Sequence, residues 1–214
     1  MNVNDFELIA DILKERSGFT LARERAYLLE SRLSSVARKW KFQGFDELAG
    51  AVRENGDEAL LSDIVQAMTI TETHFFRDRT PFYQFRDLVL PHLLQQKAEA
   101  RSFRIWCAGC SSGQEVYSIA MMLEDRKEDL AGWTYEIVGT DLSIDMLARA
   151  KQGLYTQLEV QRGLPIADLI KYFEQENDRW RIHEPIRKIT RFQPLNLLDD
   201  MGSVGRFDVV FCRY

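Results

Sequence analysis

Cysteine and histidine are both scarce in this chain, three of each in 214 residues. Three cysteines cannot build a disulfide framework. His74, His92 and His183 are scattered, and none has a partner at the spacing of a metal site or a catalytic triad. Cys107 and Cys110 form a C-x-x-C, but no second such pair and no paired histidines supply the remaining ligands of a closed zinc site. A redox or zinc reading of that pair competes with a plainer one, in which Cys107 packs inside a strand end and Cys110 sits in the loop that follows. A positive surplus is missing too. Lys and Arg number 28 against 33 Asp and Glu, for a net charge of -5, so there is no general electrostatic case for a nucleic-acid partner. No apolar run approaches the roughly 18 residues that a membrane span needs. The first residues, Met1 to Glu7, are acidic and lack the basic and apolar blocks of a signal peptide. The expectation is a cytoplasmic protein without membrane insertion. No internal repeat and no low-complexity segment is present.

The remaining composition, 45% hydrophobic and 29% charged, is that of an ordinary globular chain long enough for one large domain or two small ones. Residues 1 to about 75 read as an all-helical unit. Phe6, Leu8, Ile9, Ile12 and Leu13 recur at helical spacing up to Ser17-Gly18. A second helix is expected from Arg23 to Trp40, with Tyr27, Leu28, Leu33 and Val36 on one face. Two more follow at Phe45–Glu54 and Ala59–Thr69. Residues 76–100 read as a linker helix whose apolar stripe is Phe82, Phe85, Leu88, Val89 and Leu93. From 101 to 214 strands are expected at 103–107, 135–140, 207–212 and, more weakly, 189–193. Helices are expected at 113–125, 143–151 and 165–173. Between 174 and 194 the pattern breaks. Arg179–His183 and Lys188–Phe192 read as two short strands of a small β insertion, joined through Glu184-Pro185. The aromatic cluster Phe75, Phe76, Phe82, Tyr83 and Phe85 reads as interdomain core, and Trp106 and Trp180 as packing.

The chemistry concentrates between Ile105 and Asp141. A strand runs into the loop Gly109–Gly113, a helix with Glu115 near its start follows, and a second strand ends on Asp141. Alternating βα units with an acid after the second strand are the layout of a nucleoside-binding sheet. A dinucleotide oxidoreductase would carry G-x-G-x-x-G here, to seat a pyrophosphate on the helix dipole. That triplet is absent, and Glu115 would repel a phosphate while suiting a cation. Asp141 can accept hydrogen bonds from two ribose hydroxyls. A ligand with a ribose, a positive amino group and no phosphate, such as S-adenosylmethionine, fits both acids. The alternative is an ordinary capping Glu and Asp.

Five motifs occur in order: Thr71-Glu-Thr-His-Phe-Phe-Arg-Asp78, Trp106 to Glu115, Gly139-Thr-Asp-Leu-Ser143, Leu195-Asn-Leu-Leu198, and Phe207 to Arg213. Over nearly the whole chain the sequence resembles the chemotaxis receptor methyltransferase family of the CheR type. The resemblance implies an α/β fold. A small all-helical N-terminal domain is followed by a class I, Rossmann-like methyltransferase domain with a small β insertion. It also implies transfer of a methyl group from S-adenosylmethionine to glutamate carboxylates on methyl-accepting chemoreceptors. Thr71, Thr73 and Arg77 would then face the cofactor. Glu115 would hold its amino group and Asp141 its ribose hydroxyls. Asn196 and Leu197 would border the adenine, and Arg213 with Tyr214 would line the pocket. Arg77 is the residue placed to orient a carboxylate, the acceptor's or the cofactor's own. A rival reading within the family is a non-catalytic module that binds the cofactor, its demethylated product or a receptor helix.

The segment Lys14–Lys41 holds eight Lys/Arg against three Glu, +8 - 3 = +5, in a chain that is negative overall. It is similar to the family helix that meets acidic receptor helices, which makes Arg32 and Arg38 the receptor-binding residues implied. A charge run is otherwise a solvated face. Glu174 to Arg179 is short and acidic and lacks the glycine-rich turn associated with tether-binding members, which favours a tether-independent enzyme. Thr71 stands where the family usually has Asn, and Val116 where it has Pro. The family continues past Arg213 with further strands, so the expectation is a fragment in which the strand at 207–212 has its far edge unpaired.

Overall fold

The computed structural model describes residues 3–213, which divide into two compact units. The first comprises the chain through Ile70 together with Asn196–Asp200, and the second comprises Thr71–Leu195 and the residues from Met201 onward.

The first unit is helical. Helix α1 (Val3–Ser17) buries Phe6, Ile9 and Leu13 and stops where Gly18 takes a φ of 72°. Asn196 Nδ2 donates to Arg16 O at 2.6 Å, satisfying one of the carbonyls left open at that helix end. Helix α2 is shorter than its periodicity predicts. Arg23–Arg25 form a 3-10 turn, and the α-helix runs from Tyr27 to Lys39. Tyr27 is 66% exposed, and the buried face is Leu29, Leu33, Val36 and Ala37. That face keeps the i, i+4, i+7, i+8 spacing of an α-helix and leaves out Tyr27 and Leu28 of the expected stripe. Helix α3 (Phe45–Asn55) ends on Gly56, and α4 (Glu58–Met68) starts on the Asp57 side chain, which accepts from Ala59 N at 2.8 Å.

The second unit carries two sheets. Strands β1 (Ser102–Ala108), β2 (Thr134–Asp141), β6 (Thr190–Pro194) and β7 (Val209–Cys212) form a parallel sheet of order β6-β2-β1-β7. The register pairs Ala108 with both Thr140 and Cys212, and Asp141 with Pro194. All four strands therefore release their loops at one sheet edge, where ligands of such sheets bind. Helix α7 (Gln114–Glu124) is buried from Gln114 to Leu123, and α8 (Ile144–Gln152) buries Leu147 and Ala150. A helix buried on every side needs near-continuous apolar sequence, and Val116 to Leu123 supplies it with Ser118 as the polar exception.

The β insertion differs from its expectation. Strands β3 (Leu154–Thr156), β4 (Phe173–Glu176) and β5 (Arg179–Ile182) form a separate antiparallel sheet of order β3-β5-β4. Helices α9 (Gln157–Gln161) and α10 (Ile166–Tyr172) lie between its first two strands. The insertion thus begins near 154 rather than 174. Residues 190–194 are not its second strand but the edge strand β6 of the parallel sheet, and Glu184–Lys188 between them is helix α11. Pro185 stands in the first turn of that helix, where its missing N–H costs nothing.

The linker helix is also interrupted. Helix α5 (Thr80–Gln84) passes through a π-helical turn at Phe85–Val89 into α6 (Leu90–Gln96). The wider turn shifts the buried face, so Leu90 is buried while Leu88 and Val89 face out. Phe75, Phe82 and Phe85 belong to the core of the α/β unit itself, and Tyr83 is exposed. Phe75 packs edge-on against Tyr155 and Phe173, which binds the start of this unit to its small sheet. For that reason the unit begins at Thr71 and not at 76.

Candidate functional site

The loop after β1 is held by the strand beside it. Gly109 N and Cys110 N both donate to Thr140 O, at 2.8 and 2.9 Å. Asp141 then uses its two carboxylate oxygens separately. Oδ2 accepts from Ser111 N at 2.7 Å and Oδ1 from Ser143 N at 2.8 Å. A carboxylate has about four lone-pair positions, so both oxygens keep acceptor capacity. Ser111 has a φ of 49° and its hydroxyl donates to Thr71 O at 2.7 Å, fastening the motif segment to the loop. Gly113, with φ 92°, lets α8 and β6 approach rather than a ligand. A Cβ there would stand 3.0 Å from Ala150 Cβ and 3.3 Å from Phe192.

Glu115 is only 8% exposed. Arg213 donates to its Oε2 through Nε at 2.8 Å, and Nη2 lies 2.7 Å from the same oxygen. Burial pushes the Glu115 carboxyl up, and the Arg213 guanidinium holds it back. Arg213 Nη1 reaches Arg77 O at 3.1 Å and Asp78 Oδ2 at 3.0 Å, and the guanidinium lies 5.5 Å from the centroid of the Phe82 ring. Arg77 in turn donates through Nη1 to Glu72 O at 2.7 Å. Arg77, Glu115 and Arg213 are thus one connected group, joined to Thr71 through the Ser111 loop. Any cationic amino group placed on Glu115 shares that carboxylate with Arg213. Thr73 is half-buried in the extended segment between Thr71 and Arg77.

The other expected residues belong to the helical unit or fall outside the described residues. Asn196 and Leu197 are part of the helical unit, where Asn196 caps α1 and Leu197 is exposed. Tyr214 lies outside the described residues. Arg32 Nη1 donates to Met68 O and Thr69 O at 3.0 and 3.1 Å, so its guanidinium caps the C-terminus of α4. Arg38 is exposed and donates to its own helix at Ser34 O.

Cys107 and Cys110 are buried, and desolvation pushes both thiols well above their ordinary range. Cys212 lies beside Ala108 in the register of β1 and β7. Trp106 Nε1 donates to Thr140 Oγ1 at 2.9 Å. His74 is half-buried, and its Nδ1 has no partner among the described residues.

Sequence reasoning missed three supports of the motif segment. Ser118 Oγ accepts from Phe76 N at 3.0 Å and donates to Gln114 O. Its signal was a lone hydroxyl in an apolar helix. Arg162 pairs with Glu72 at 2.5 Å. Gly163 follows with φ 88°, and a Cβ there would fall on the Phe75 carbonyl oxygen. No local signal marks these two, because their partners are about 90 residues away.

The arrangement presents one acid in the first turn of the helix that follows β1 and another at the end of the neighbouring β2. Both residues fit S-adenosylmethionine, Asp141 as an acceptor for a diol and Glu115 as a buried acceptor for an ammonium. Comparison with known proteins agrees. Residues 71–214 match the family model described as the CheR methyltransferase, SAM binding domain, and residues 4–69 match the CheR methyltransferase, all-alpha domain. The chain is 38% identical over 213 residues to Chemotaxis protein methyltransferase 1 of Pseudomonas aeruginosa, covering 98% of this chain and 77% of that one. It is 36% identical to Chemotaxis protein methyltransferase Cher2 of Pseudomonas putida, with the same coverage. A Vibrio parahaemolyticus chemotaxis protein methyltransferase is 35% identical over 204 residues, covering 94% of this chain and 73% of that one. Among the described residues no helix is long and apolar enough to cross a membrane.

Proposed function

This chain belongs to the CheR methyltransferase family, and from that premise we propose that it methylates the side-chain carboxylates of glutamates on methyl-accepting chemoreceptors in the cytoplasm. The products are a glutamate methyl ester and S-adenosylhomocysteine. The observation that carries the reading is the pair of acids, Glu115 and Asp141, at one sheet edge of a domain whose family binds S-adenosylmethionine.

S-adenosylmethionine supplies an electrophilic methyl on a sulfonium, a good leaving group. The acceptor is already ionised at neutral pH, so no general base is needed. What the chain contributes is binding, alignment and exclusion of water. Glu115 holds the amino group and Asp141 the ribose hydroxyls. Thr71, Thr73 and Arg213 border the aminoacyl end, Asn196 and Leu197 the adenine. Arg77, tied to Glu72 O and through its own carbonyl to Arg213, is the residue that orients a carboxylate. The helical unit through Ile70 serves receptor recognition, and the unit that begins at Thr71 carries the chemistry. On the helical unit Arg38 carries the docking role, because Arg32 is engaged at the end of α4.

Calorimetric titration with S-adenosylmethionine and S-adenosylhomocysteine tests the pocket, and methyl transfer to receptor-containing membranes tests the reaction. Saturable one-site binding with base-labile methyl incorporation is expected. Binding without turnover would make the chain a binding module, and a folded chain that binds neither compound would refute the assignment.

A further inference from the structure

Two routes tie Glu115 to Arg77, the ammonium acid and the carboxylate-orienting residue of the proposed reaction. The first is charged. Arg213 donates to Glu115 Oε2 through Nε and to Arg77 O through Nη1. The second is neutral. Phe76 N donates to Ser118 Oγ at 3.0 Å, and Ser118 Oγ donates to Gln114 O at 2.6 Å. Phe76 immediately precedes Arg77, and the Gln114 carbonyl shares its peptide unit with the Glu115 nitrogen. One hydroxyl thus bridges the backbone beside each of the two functional side chains.

The two routes respond differently to a ligand. A cationic amino group on Glu115 competes with Arg213 for the same oxygen. The Ser118 route uses neither that carboxylate nor the guanidinium, so nothing bound at Glu115 competes with it. Ser118 is fully buried, in the otherwise apolar run from Val116 to Leu123. Serine is a poorer helix former than alanine, and a buried hydroxyl is costly unless hydrogen-bonded. The packing of α7 by itself therefore gives no reason for a hydroxyl at this position. The segment opposite does. Phe76, Asp78 and Arg79 take φ values of 49°, 65° and 48°, a conformation that side-chain-bearing residues rarely adopt. A strained backbone persists only where its surroundings fix it, and the Phe76 N–H is where α7 fixes this one.

We infer that Ser118 is a positioning residue, whose hydroxyl sets Arg77 against Glu115 so that the acceptor carboxylate meets the methyl group of the cofactor in line. This role rests on the proposed methyl transfer. Ser118→Ala removes the hydroxyl with little change of volume. By hydrogen exchange, the Phe76 amide should exchange at least about tenfold faster in the variant than in the wild type. Methyl transfer to receptor-containing membranes is then measured at saturating S-adenosylmethionine, with kcat referred to the concentration of sites that bind S-adenosylhomocysteine. That kcat should fall about tenfold, while S-adenosylhomocysteine affinity stays within about twofold. A support of the fold alone would lower the number of binding sites and leave kcat per site unchanged. In an Arg77→Lys background, Ser118→Ala should lower kcat by less than about twofold further, because the residue it positions has already been replaced. Unchanged kcat per site, cofactor affinity falling in step with kcat, or the full tenfold loss again beside Arg77→Lys would each overturn the role. An unaltered Phe76 exchange rate would overturn the hydrogen bond on which this inference alone stands. A wild-type chain that binds or transfers nothing would instead refute the proposed function, and the positioning role with it.

Discussion

Two stretches of this molecule each hold charged candidate residues and use them in opposite ways. From Cys110 to Leu123 every residue is buried, and the acid among them, Glu115, has its charge met inside the unit by Arg213. Along α2 the charged residues stay at the surface, with Arg38 exposed and Arg32 half-buried on two carbonyls of α4. A charge taken out of water is costly unless partnered, so the first stretch tolerates few substitutions. A solvated charge is worth little to stability, so the second stretch is free to serve recognition. The lesson is that a charged residue's role is read from what has already claimed its hydrogen bonds.

The strongest test of that contrast removes an acid. Glu115→Ala or Asp141→Ala should weaken S-adenosylhomocysteine binding by about a hundredfold in a calorimeter, the scale of hydrogen bonds lost from a charged carboxylate. Unchanged affinity would dissolve the assigned pocket. Glycines offer the next largest effect. Gly163→Ala places a Cβ on the Phe75 carbonyl at a positive φ and should cost about 2–4 kcal/mol in urea unfolding. Gly50→Ala, in helix α3 with open space around it, should gain about 0.5–1 kcal/mol.

The two arginines of α2 should then separate. Arg32→Ala is expected to lose about 1–1.5 kcal/mol of stability, and Arg38→Ala less than about 0.5 kcal/mol. Arg38→Glu should lower receptor methylation several-fold and leave cofactor affinity alone. Equal methylation would move the docking face elsewhere. The smallest effect is a slope. Because the folded-state pKa of Glu115 is raised, the native chain binds more protons than the unfolded one between the ordinary glutamate value and the raised one. That contribution is present at low pH and is lost as pH rises through this window. Glu115→Gln should flatten the fall in the urea midpoint over that range, and an unaltered slope would assign it to other groups.

Strands β1, β2 and β7 of the parallel sheet were legible because each announces itself locally. Ile105–Ala108 is followed by a glycine loop and an apolar helix, and Gly139-Thr-Asp141 closes the next strand. The small sheet was not. Leu154–Thr156 is three residues long and pairs with a strand some 25 positions away, so no local pattern marks it. Thr190–Pro194 and Arg179–Ile182 look alike as isolated strands. Only their partners, β2 for one and β3 with β4 for the other, assign them to different sheets. The linker helix failed for a related reason, since one π-helical turn at Phe85–Val89 displaces a periodicity that was otherwise read correctly.

The candidate site divides along the same line. The identities and order of Thr71, Arg77, Glu115, Asp141 and Arg213 stand in the motifs, and with them the family, its cofactor and its chemistry. Tertiary structure alone decided which charge neutralises which. Arg213 comes to Glu115 across 98 positions because β7 lies beside β1, and Arg162 comes to Glu72 across 90. Motifs record what each residue can do, because side-chain chemistry and local backbone preference are properties of short stretches. Pairing between distant residues depends on strand register and loop closure, which exist only once the whole unit has packed.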